Sequence, residues 1–174
     1  MKILIADDVG LIRRQLQHHL AATEHEVFVA EDGFRALALL RSNQTIDVVI
    51  TDLLMPGMNG VELFAESRKI ERLTDDGTDA GPDFMLLTGV RPTSRDARET
   101  EFLQQAASIG FFKILGKPVG RDDLLQAVAE VEEHRKTPKG DAEPDAAELE
   151  RLLKGLLATY GRERVSHAID TLPA

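Results

Sequence analysis

Five short runs of aliphatic and aromatic residues recur along the first three-quarters of the chain: Lys2–Ala6, Glu26–Ala30, and residues 46–51, 84–88 and 111–115. Such near-continuous apolar runs suit strands buried on both faces, as in parallel sheets, rather than the alternating pattern of half-exposed ones. Between them, apolar residues fall at helical spacing: Leu11, Leu16 and Leu20; Phe34, Leu37 and Leu40; Val61 and Phe64; Phe102, Ala106 and Ile109; Leu124, Val128 and Val131. Strands alternating with helices in this way predict an α/β, doubly wound, five-stranded parallel sheet.

In such a sheet, ligands bind beyond the carboxyl ends of the strands, where the strand order reverses. The residues that follow each run are therefore the ones to read. The first delivers Asp7 and Asp8, the third Asp52, the fourth Thr88 and the fifth Lys117. Three carboxylates gathered at one edge would repel one another, so a divalent cation is the natural occupant. An all-oxygen donor set in a chain with no cysteine suits Mg²⁺. A hydroxyl and an ammonium group beside it suit a tetrahedral oxyanion. Asp52 is then either a ligand alone or a nucleophile that takes up phosphate.

The motifs ADD, TDLLMPGMNG (residues 51–60), LLTG (86–89) and LGKP (115–118), with EDGFRAL (31–37), resemble the receiver domain of bacterial two-component response regulators. So does an expected pairing of Asp47 with Arg13 and Arg14, as in chemotaxis-type receivers. The resemblance covers residues 1–135 and implies a flavodoxin-like sheet of order 2-1-3-4-5. It also implies that Asp52 is the phosphoacceptor, and that Mg²⁺ is held by Asp8, by Asp7 mostly through water, by Asp52, and by the backbone carbonyl of Leu54. Lys117 and Thr88 would bind the phosphoryl group, with Pro118 in a cis bond after Lys117. The implied partners are a sensor histidine kinase or phosphotransfer protein and a downstream protein.

Plainer readings stand beside these. Asp7 and Asp8 could cap the next helix, since Asp is a good N-cap. A hydrolase of the haloacid-dehalogenase type would also use Asp52, but wants a second aspartate where Leu54 stands. Three departures from the family pattern matter. The switch position before Lys117, usually aromatic, is Ile114. The stretch 88–110 is longer than usual, with Thr93 or Ser94 as a helix cap. The connection 73–83 is long and acidic.

After His134 the composition changes. Residues 136–145, KTPKGDAEPD, read as a linker. In residues 146–174, Leu149, Leu152, Leu153, Leu156, Leu157 and Tyr160 fall at helical spacing before Gly161, and Val165, Ala168, Ile169 and Leu172 follow. This predicts a C-terminal helical hairpin too small to bury its own stripe, which could pack back on the receiver, form a homodimer or bind a partner, the last two being favoured. A transcription regulator with this hairpin as a minimal DNA-binding element is the alternative. Against it, residues 145–174 hold four Lys or Arg and five Asp or Glu, and the whole chain carries a net charge of −9, which argues against nucleic acid as a partner. The hairpin is too short for a catalytic output domain, so the expected function is a switch rather than an enzyme, beyond self-phosphorylation and autodephosphorylation. The opening apolar run is too short for a signal peptide and no window reaches membrane-span length, so a cytoplasmic protein without membrane contact is expected.

Overall fold

The computed structural model describes residues 1–70, 81–89 and 108–136 of the 174-residue chain. Within them the chain runs β1 (Lys2–Ala6), α1 (Gly10–Leu20), β2 (Glu26–Ala30), α2 (Gly33–Ser42), β3 (Val48–Asp52), α3 (Gly60–Ser67), β4 (Asp83–Thr88), β5 (Lys113–Gly116) and α4 (Arg121–Lys136). The strands form one parallel sheet, as the apolar runs predict, of order β2-β1-β3-β4-β5, as the resemblance implies. β1 lies between β2 and β3, so the order reverses there, and the carboxyl ends of β1 and β3 sit side by side.

Strand periodicity divides the core into two layers. Ile3 and Ile5 face the same way as Val48, Ile50, Met85 and Leu87, and pack under Leu16 and Leu20 of α1 and Leu124, Val128 and Val131 of α4. Leu4, Ala6, Val49, Phe84 and Leu86 face the other way, against Leu37 and Leu40 of α2 and Leu63 and Phe64 of α3. Each fully buried Leu, Ile or Phe contributes about 1.5–3 kcal/mol, so these two layers fix the strand ends in register. Local signals agree with the packing. Asp32 caps α2 by accepting the Arg35 N–H, and Asn59 with Glu62 closes a capping box on α3.

Three expectations need correction. β3 begins at Val48 rather than residue 46, because the Asp47 carboxylate, not a ladder carbonyl, accepts the Lys2 N–H at 2.8 Å. β5 begins at Lys113 rather than residue 111. Phe111 instead fills the core, with its ring centroid 4.9 Å from that of Phe64 and 6.0 Å from that of Phe84. The third concerns Asp47, which pairs with Arg135 of α4 at 3.2 Å and not with Arg13 or Arg14. Both of those arginines belong to the first turns of α1, which start beside the carboxyl end of β1, whereas Asp47 precedes the opposite end of β3.

The helix expected around Phe102 and Ala106, the cap at Thr93 or Ser94, most of the acidic connection, the linker beyond residue 136 and the hairpin from Leu149 to Leu172 lie outside the described residues. Among the described residues, no helix is long and apolar enough to cross a membrane.

Candidate functional site

β1 ends at Ala6 and hands Asp7 straight into the edge of the sheet, where it is wholly buried at 0% exposure. Every polar group of Asp7 is held. Its N–H donates to the Ala30 carbonyl at 3.3 Å, and its Oδ1 accepts the Val9 N–H at 2.8 Å. Its Oδ2 accepts from Lys117 Nζ at 2.6 Å, and its carbonyl accepts from the Arg13 guanidinium. Asp8, next along, points to solvent and has no hydrogen bond or ion pair among the described residues. Neither aspartate caps α1, whose N-cap is Val9 with no side-chain hydrogen bond. The capping explanation for this acidic pair therefore falls.

Asp52 closes β3 and is 8% exposed. Its Oδ2 lies 2.9 Å from Lys117 Nζ, so one ammonium bridges Asp7 and Asp52. Ligand oxygens of Asp7, Asp8 and Asp52 all lie within 4.8 Å of one another. Burial pushes the Asp52 carboxyl above its usual range and the Asp7 charge pushes it further, while Lys117 pulls against both. Burial by itself would lower Lys117, but hydrogen bonds and charges from Asp7 and Asp52 outweigh it and hold the ammonium above its usual value. Both members of the ion pair move upward, for different reasons: Asp52 chiefly because it is buried, and Lys117 because two close carboxylates make its proton harder to remove.

The remaining predicted residues fall around this core. Thr88 closes β4, is 2% exposed, and its carbonyl accepts the Lys117 N–H at 2.7 Å. The Lys117–Pro118 peptide is cis. Leu54, 39% exposed, stands two residues beyond Asp52 on the loop to α3. Ile114 lies on β5 opposite Leu86, half-buried against the α2 and α3 layer of the core. Asp7, Asp52, Lys117 and Thr88 thus converge on one edge, with Asp8 and Leu54 at its rim.

Two contributors are not obvious in the sequence. Arg13 braces the Asp7 peptide from α1. Gly60 lets the start of α3 lie against the end of β3: a Cβ there would stand 2.4 Å from the Asp52 carbonyl oxygen. The available signal is a glycine at the first position of a helix already capped by Asn59, where a better helix former would serve unless something passes close by.

The donor set suits a hard divalent cation. It offers carboxylate oxygens alone, one of them exposed and unpartnered, at a separation that places like charges together. Asp7, Asp8 and Asp52 would hold Mg²⁺, which keeps several waters of its own.

Residues 3–129 match the response regulator receiver domain family. The chain is 33% identical over 131 residues to the sensor histidine kinase AruS of Pseudomonas aeruginosa, covering 75% of this chain and 12% of that protein. It is 40% identical over 76 residues to a chemotaxis protein CheY homolog of Campylobacter jejuni, covering 43% of this chain and 58% of that one. The chain thus spans less than two-thirds of the length of either relative. A response regulator receiver domain protein from Clostridium thermocellum superposes with a TM-score of 0.62 at 29% identity, over 78% of this chain and 96% of that one.

Proposed function

The chain belongs to the response regulator receiver family, and from that premise we propose that it is a phosphorylation-dependent signalling switch that accepts a phosphoryl group on Asp52. The observation that carries this reading is the bridge: Lys117 Nζ sits 2.6 Å from Asp7 and 2.9 Å from Asp52, at the rim of a three-carboxylate cluster. Receiver domains interact with histidine kinases. The donor for this chain is a phosphohistidine on a sensor kinase or phosphotransfer protein.

Each residue has a task in that transfer. Lys117 offsets part of the burial that favours the Asp52 proton. An oxygen of the carboxylate then bonds to phosphorus as the phosphorus–nitrogen bond of the donor breaks, the electron pair staying on the imidazole nitrogen. Lys117 Nζ neutralises the phosphoryl oxygens, and the Thr88 hydroxyl donates to one of them. Mg²⁺ would be held by Asp7, Asp8 and Asp52, with the Leu54 carbonyl as a further ligand, and would supply further neutralisation of charge. Leu54, exposed at the mouth, shields the aspartyl phosphate from water. The receiver region is not an enzyme beyond this chemistry on itself.

Its output is a shift between two surface states, read by a downstream protein. Ile114 stands on β5 where the family usually has an aromatic that couples the threonine to the outer surface, and its aliphatic side chain fills that space with less leverage. The test is intact mass after incubation with Mg²⁺ and a small-molecule phosphodonor, with wild type beside Asp52→Ala. A phosphate adduct confined to wild type is expected. An adduct of equal yield on Asp52→Ala would remove Asp52 as acceptor.

A further inference from the structure

The loop 53–59, between Asp52 and α3, is tied to the sheet along its inner side. Leu53 N–H donates to the Leu87 carbonyl at 2.9 Å, and Gly60 N–H to the Leu53 carbonyl at 3.1 Å. Leu53, Met55 and Met58 are buried beneath it. Its outer side rests on a different element, the first turn of α2. A Cβ on Gly33 would stand 2.4 Å from the Met58 carbonyl oxygen and 2.8 Å from the Met58 Cβ. The next residue, Phe34, is 59% exposed, yet its ring lies across the loop tip, where a Cβ on Gly57 would come within 2.8 Å of it. Gly57 itself has φ of +79°, a conformation that favours glycine.

These contacts share a geometry. α3 and α2 both open on a glycine, Gly60 and Gly33, and each glycine lets the helix start meet loop backbone with no side chain between them. The near end of the loop, at the Asp52 carbonyl, is thus set against α3, and the far end, at the Met58 carbonyl, against α2. α2 cannot yield easily, because Ala36, Leu37 and Leu40 anchor it in the core and Asp32 caps it. A displacement of its first turn therefore passes to Met58 and along a short, sheet-bonded loop to Asp52.

We propose that the first turn of α2 is a buttress that sets the geometry of the Asp52 loop, with Gly33 and Phe34 as positioning residues for the metal-binding and phosphate-accepting arrangement. Neither touches the reacting atoms. Gly33 fixes how closely the helix and loop backbones meet, and Phe34 clamps the loop tip from the solvent side. The proposal rests on the switch reading above, since it is the Mg²⁺ and phosphate geometry that the loop serves.

The experiment is a Mg²⁺ titration of the metal-free full chain, followed by the backbone amide shifts of residues 7–9 and 52–59, with thermal unfolding measured alongside. Gly33→Ala is expected to weaken Mg²⁺ binding about tenfold, the scale seen when a group supporting a metal ligand is displaced, and to move the amides of 52–59 but not those of 7–9. Phe34→Ala is expected to weaken binding less, in the same direction and in a fully folded protein, and Phe34→Leu to recover part of the loss. If Gly33→Ala does not fold, the Phe34 pair decides. Unchanged Mg²⁺ affinity and unmoved loop amides in the folded variants would overturn the buttress while leaving the switch intact. A wild-type chain that shows no Mg²⁺ response at Asp7, Asp8 or Asp52 would overturn both.

Discussion

The two ends of the sheet carry nearly the same ingredients and use them differently. At the carboxyl end, Asp7 and Asp52 share the ammonium of Lys117. At the amino end, Asp47 and Asp83 share the guanidinium of Arg135, at 3.2 and 3.0 Å. The amino end is closed. Arg135 also donates to the Gly81 carbonyl, Lys2 N–H donates to the Asp47 carboxylate, and His134 lies 3.7 Å from Asp83. A planar guanidinium fork matches several fixed acceptors at once, and Arg135 meets three of them among the described residues. The carboxyl end is open. Asp8 adds a third, solvent-facing carboxylate, and a lysine is a point charge on a flexible stem that can turn from one anion to another. Each end sets one cation between two carboxylates, and what separates a site from a staple is the additional solvent-facing carboxylate of Asp8 at the carboxyl end.

The largest expected effect breaks the open end. In metal-free buffer, Lys117→Ala leaves Asp7 and Asp52 facing each other in a buried site and should cost about 3 kcal/mol of unfolding free energy. Denaturant unfolding measures this, and added Mg²⁺ should restore part of the loss. A loss that Mg²⁺ does not touch would mean that the two cations do not serve the same carboxylates.

Breaking the closed end should cost less, because Asp47 remains half-exposed and hydrogen-bonded to Lys2 N–H. Arg135→Ala is expected to lose about 2 kcal/mol, with Mg²⁺ affinity unchanged at the far end of the sheet. A shift in Mg²⁺ affinity would show that the two ends are coupled rather than independent.

The smallest effect sharpens the contrast and carries the opposite sign. Asp52 binds its proton more tightly in the folded chain than in the unfolded one, because of burial first and the Asp7 charge second. Its contribution to stability is therefore present below the ordinary carboxylate range and is lost as pH rises through the raised value. At neutral pH the ionised group costs stability. Asp52→Asn should then raise the metal-free Tm modestly at neutral pH, with the gain shrinking in acid. A fall in Tm at neutral pH would mean that the Lys117 contact outweighs burial.

Much of this was legible along the chain because the signals are local. A buried strand demands a run of apolar residues, and the residue that ends the run must stand at the sheet edge, so Asp7, Asp52, Thr88 and Lys117 could be placed by their position at or just beyond the ends of β1, β3, β4 and β5 alone. Capping signals at Asp32 and Asn59 are equally local. The failures share a cause as well. The resemblance to chemotaxis-type receivers implies that Asp47 pairs with Arg13 and Arg14, but its partner is Arg135, far along the chain on a helix that ends where β3 begins. Phe111 reads as strand by propensity, yet a place between Phe64 and Phe84 draws it out of the ladder.

The sequence by itself determined which segments are strands, in what alternation with helices, and which chemical groups stand at the strand ends, since hydrophobic period and chain direction dictate these. Only the tertiary structure decided how those groups share their charges. That Lys117 bridges Asp7 as well as Asp52, that Asp8 stays without a described partner, and that Gly33 and Gly60 let two helices press on one loop all depend on distances between segments far apart in the chain. Charge and close contact act through space, over a few ångströms, and no local pattern records them.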